Sequence, residues 1–169
     1  MKDMVRRYAC SFALAGCLAA PALAAPPCNA PDPAALRSTW QAFRGAALAG
    51  DAEQAAQFHK FPLKLLPPMQ GPRPMLISRK VFVHNYRALF QRHPDGQEIG
   101  LFAAMKAGSG NEAIPKIHFD AQRCALSAPV SVADYDFTYD QKRGWLIEAI
   151  EYGGDFDTAK VFDSDKIVN

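Results

Sequence analysis

Four cysteines and four histidines are all the thiol and imidazole ligands that this chain offers. Neither set has the spacing of a metal site. No Cys-x-x-Cys occurs, so a thioredoxin-type redox pair is excluded. There is no Gly-rich phosphate loop ahead of a helix, no Gly-x-Ser-x-Gly and no nucleophilic cysteine motif. Asp155-x-Asp157 and Asp163-x-Asp165 lack the loop glycine and distal glutamate of a calcium-binding EF-hand. The sequence therefore names no catalytic residue, no metal and no cofactor. Internal repeats are missing, and the one biased segment is an Ala/Pro linker at residues 25–33.

What is present begins with an address. Lys2, Arg6 and Arg7 precede an apolar run from Tyr8 to Ala20, and Ala22-Leu23-Ala24 places small residues at cleavage spacing. This is the pattern of a secretory signal peptide, too short to be a comfortable membrane span. Pro21, Pro26 and Pro27 argue against a buried N-terminal helix. Cleavage after Ala24 is expected, leaving a periplasmic or secreted protein. The alternative is a lipobox, Leu14-Ala15-Gly16-Cys17, in which Cys17 is acylated and the linker becomes a tether to the envelope. A membrane is a partner only in that case.

Cleavage removes Lys2, Arg6, Arg7 and Asp3, so 19 basic and 17 acidic residues become 16 and 16. A neutral mature domain gives no compositional support for nucleic-acid binding. The charge is nonetheless uneven. Residues 60–106 are rich in lysine and arginine, whereas residues 134–169 carry nine acidic side chains against four basic ones. Either the two parts attract each other within the fold, or an acidic surface is offered to a cationic partner. Cys10 and Cys17 lie in the signal. The remaining pair, Cys28 and Cys124, is expected to form one disulfide in an oxidising compartment.

Residues 34–154 read as a single domain, with 155–169 as an acidic, loosely attached tail. Asp32-Pro33 opens a helix carrying Leu36, Trp40, Phe43 and Ala47 on one stripe, stopped by Gly50. Asp51 caps a second short helix, with Gln54 three residues on. Phe61, Leu63 and Leu65 alternate on a strand, and Ser78 opens a helix to Gln91 with Phe82, Tyr86, Leu89 and Phe90 on its apolar face. Strands are expected over 99–105, 114–119, 123–127, 130–139 and 145–152, with a hairpin turn at 140–144. His59 and His93 fall at helix ends, where the dipole favours a cation.

Helices followed by antiparallel strands make an α+β layout. The order of a helix, the short Gly50-Asp51-Ala-Glu-Gln-Ala-Ala helix, the Phe61-Pro62-Leu63 strand, the Ile77-Ser78…Phe82…Tyr86…Phe90 helix and a sheet ending in Gly144-Trp145-Leu-Ile-Glu-Ala-Ile resembles the nuclear transport factor 2-like superfamily. Small exported bacterial members are the most similar. The resemblance spans Leu36 to Tyr152, although Pro115 interrupts the strand that such proteins show near Gly108–Glu112. It implies N-terminal helices packed on a curved antiparallel sheet, a cone whose enzymatic members set Asp with Tyr or His in a pocket. His84, Tyr86, His118, Asp134, Tyr135 and Asp136 are the acid–base types available, and none matches a catalytic motif of the superfamily. The function expected is therefore a non-enzymatic envelope domain, of inhibitor or immunity type, binding a protein or small ligand. Asp134, Tyr135 and Asp136 are its candidate contact residues. The alternative is a small pocket enzyme of isomerase or dehydratase type.

Overall fold

The computed structural model describes residues 28–68 and 73–165. The expected signal peptide, its cleavage site and Cys17 lie outside these residues. Helix α1 (Pro33–Ala49) starts where the Asp32 carboxylate accepts the Ala34 N–H at 2.9 Å, with Pro33 in the first turn. It ends at Gly50, whose φ of 74° is reached at little cost only without a side chain. Helix α2 (Ala52–Gln57) is capped by Asp51, which accepts from the Gln54 N–H. Both starts are as the sequence indicates, because a cap is a local interaction.

Strand β1 (His59–Leu66) pairs antiparallel with β2 (Met75–Ile77). Next come α3 (Arg79–His84), α4 (Tyr86–Phe90) and α5 (Gly100–Ala107). A small separate ladder, β3 (Phe119–Asp120) with β4 (Ala125–Leu126), precedes β5 (Val130–Val132), β6 (Tyr135–Asp140) and β7 (Gly144–Glu151). The main sheet has the order β2-β1-β7-β6-β5. It is mixed rather than antiparallel: β1 runs parallel to β7. The helices and the sheet share one core in which Leu36, Leu63, Leu65, Ile77, Phe137 and Ile147 are fully buried.

Several sequence expectations need correction. The helix over 78–91 is two helices. Asn85 turns its amide back onto the Val81 carbonyl at 3.0 Å and leaves helical geometry, as short polar side chains do when they compete with the ladder. The run 99–105 is helical, with Leu101 and Met105 one turn apart and both buried. Strand 130–139 is a tight hairpin whose turn is Ala133-Asp134, with Ala133 at φ 50°. Of 114–119 only Phe119 pairs in a strand, and of 123–127 only Ala125 and Leu126.

Nor do residues 155–165 hang free. Phe156, Ala159 and Asp163 are buried, in two 3-10 turns (Gly153–Asp155 and Thr158–Phe162) and the chain beyond them. Cys28 and Cys124 form the expected disulfide, with Cα atoms 5.5 Å apart. It fastens the segment before α1 to the β3–β4 turn.

Candidate functional site

The most unusual polar group in the fold is His59. It opens β1 and points inward with the alternation that buries Leu63 and Leu65. Its Nδ1 lies 2.8 Å from the Ala55 carbonyl. A carbonyl can only accept, so Nδ1 carries the proton and Nε2 is left as an acceptor. That Nε2 is buried and has no hydrogen-bond partner among the described residues. Phe82 and Phe43 pack on the ring at centroid distances of 4.7 and 5.2 Å. Burial pushes the imidazole down to about 4, outweighing the Ala55 bond that raises it. His59 is thus a neutral base at neutral pH.

Beside it is a cavity of about 10 Å³, walled by His59, Tyr86, Phe90, Met105 and Tyr135 among others. That is roughly the room for one water. Tyr86 and Tyr135 are both buried in the cavity wall. Burial raises both hydroxyls, helped by Asp51 for Tyr86 and by Tyr86, Asp134 and Tyr152 for Tyr135. No carboxylate lines the cavity. The cavity thus gathers one imidazole acceptor and two tyrosines within an aromatic wall, with room for about one water.

The residues singled out from sequence divide between this interior and the surface. Tyr135 and Tyr86 are inside, and His84 and His118 are exposed. Asp134 sits exposed in the β5–β6 turn, where its carbonyl accepts the Glu151 N–H at 2.8 Å. Asp136 faces outward and accepts from the Ser131 hydroxyl at 2.6 Å. Tyr135 therefore does not join the two aspartates in one contact surface; it lies on the opposite face of the strand. His59, read from sequence as a helix-end cation, is instead a buried strand residue. The signal that identifies it is its place two residues before Phe61, in phase with Leu63 and Leu65.

Part of the charge asymmetry is spent inside the fold. Arg73 pairs with Asp163 and Asp165, each at 3.0 Å, and Lys60 with Glu148 at 3.2 Å. His93 Nε2 meets Asp155 at 2.8 Å. Asp140 accepts the Lys142 and Arg143 amides, which hold its carboxyl below the usual range. Asp134 and Glu151, side by side, are acidic groups without a cationic partner among the described residues. Among those residues, no three His, Cys, Asp or Glu side chains come together as a metal site. Compared with family models, with curated proteins and with solved structures, the chain matches none.

Proposed function

We propose that the chain is an exported envelope domain of the nuclear transport factor 2-like kind, and that it works by binding a partner protein at its surface. The observation that carries this reading is the filled interior. Pockets for small organic ligands run to about 300–1,000 Å³, whereas the cavity between helices and sheet is about 10 Å³. Aromatic side chains occupy the space that a ligand needs. The Cys28–Cys124 disulfide supports an oxidising compartment. The contact surface we assign is the acidic rim of Asp134, Asp136 and Glu151, which suits a cationic partner and faster encounter with it.

The second reading is a small pocket enzyme, favoured by His59 Nε2 standing as a free base beside Tyr86 and Tyr135. The two readings separate in one experiment. Envelope proteins are captured on the mature domain, and the association rate of a captured partner is measured at low salt. Asp134→Lys with Asp136→Lys should slow association at least about tenfold, while His59→Asn and Tyr86→Phe, folded by circular dichroism, should leave it unchanged. An unchanged rate in the folded aspartate variant removes the acidic rim as the contact. Export is checked by the mature N-terminus, expected at Ala25. Fatty-acid labelling abolished by Cys17→Ser replaces that start with the lipid-anchored one.

A further inference from the structure

We infer that a second surface, the groove between α4 and the turn after it, binds an acidic segment of a partner protein. Internal pairing selects this place. Of the basic residues between Lys60 and Lys106, four meet carboxylates: Lys60, Arg73, Arg79 and Lys106. Lys64, Lys80, Arg87 and Arg92 meet none among the described residues. Arg87 and Arg92 line one open groove of about 440 Å³ together with His84, Asn85 and His93. Lys80 lies one turn before His84 on α3 and is exposed like it.

The groove is also built rather than merely charged. Arg92 Nη1 donates to the Gly96 carbonyl at 2.7 Å, which holds the guanidinium over the Pro94–Gly96 turn. His93 is buried in the wall and fixed by Asp155. The carboxylates nearest in sequence, Asp95 and Glu98, and Asp155 behind His93 are already engaged. Asp95 accepts the Gln97 N–H at 2.9 Å, Glu98 pairs with Lys106, and Asp155 also accepts from the Gly100 N–H at 3.0 Å. None of them lines the groove. Two guanidinium groups with free donors match carboxylates in pairs, each bond stronger than a neutral one. A membrane surface fits less well: among the described residues the one exposed large hydrophobic side chain is Val161, so no apolar patch accompanies the cations. This surface is separate from the acidic rim and does not depend on it.

The test uses the whole mature domain and a labelled oligoglutamate peptide, read by fluorescence anisotropy. Saturable binding at an ionic strength of about 0.01 M, weakened at about 0.15 M, is expected. Arg87→Glu with Arg92→Glu should weaken it at least about tenfold. Lys64→Glu with Lys116→Glu changes net charge equally at exposed residues elsewhere and should weaken it less than about threefold. The single changes Arg87→Gln and Arg92→Gln give the same comparison if the double reversal misfolds. Equal losses in the two pairs overturn the inference, as does peptide binding that never saturates. Vesicles of phosphatidylglycerol form the last arm: binding to them without binding to the peptide assigns the groove to lipid headgroups and overturns it too.

Discussion

Acid should loosen this fold through one residue, His59. Its ring is neutral and sealed in the core, with a folded-state value of about 4 against 6.5 in the open chain. Between those values the unfolded chain binds a proton that the folded one refuses, so stability rises with pH there. The contribution is complete above pH about 6.5 and declines as pH falls toward 4. Across the whole window it amounts to about 3 kcal/mol, and between pH about 7.5 and about 5 to about 2 kcal/mol. Urea unfolding at those two pH values, with the disulfide intact, measures it. The comparison is with His59→Asn, which keeps a donor for the Ala55 carbonyl and isolates the imidazole's share. That variant should be less stable at pH about 7.5 and lose about 2 kcal/mol less on acidification. Equal acid losses in the two proteins, or a ring proton of His59 titrating near 6.5 by NMR, would refute a sealed neutral imidazole.

Phe82, 1% exposed and packed against His59 and Phe90, should cost about 3–5 kcal/mol on change to alanine, by chemical denaturation. Removing the disulfide by Cys28→Ser with Cys124→Ser should cost about 2–5 kcal/mol, since it closes a loop spanning 96 residues. Intact mass should show that the wild-type protein lacks the two thiol hydrogens. Asp163→Ala should cost about 2–4 kcal/mol, because it strands the Leu76 N–H and leaves Arg73 with Asp165 alone. Asp163→Asn, which keeps an acceptor, should cost clearly less.

Sequence reading succeeded where the causes are local. The caps at Asp32, Asp51 and Ser78 are bonds over two or three residues, and all three are made. The stripe of Phe82, Tyr86 and Leu89 is buried as its spacing implies. The break at Asn85 was illegible because it leaves that stripe intact; only a side-chain bond records it. Residues 99–105 misled because a short apolar run fits a buried strand or a buried helix equally well. The parallel pairing of β1 with β7 joins residues far apart in sequence, which no local pattern encodes. The same distance hid the cavity: Tyr86 and Tyr135 were visible as candidates, but their meeting with His59 is a product of topology.

The acidic C-terminal part shows why composition alone misplaces function. Strand β2 is an edge of the sheet, and an uncovered edge invites pairing with another chain. Here the Leu76 N–H donates to Asp163 and the Leu76 carbonyl accepts from the Ser164 N–H at 2.7 Å. The Ser78 N–H donates to the Ser164 hydroxyl, also at 2.7 Å. Residues 163–164 thus close the edge with side chains and one backbone bond, without adding a strand. Arg73 clamps this closure from outside through Asp163 and Asp165. The carboxylates that looked like a recognition surface are, in this part of the chain, the fastening of a vulnerable strand. Charge available to a partner is what remains after such internal pairing. Among the described residues, two such sets of opposite sign are Asp134 with Glu151 beside the β5–β6 turn, and Arg87 with Arg92 in the α4 groove. If both proposed surfaces bind, the sign of a partner's charge would sort it between them.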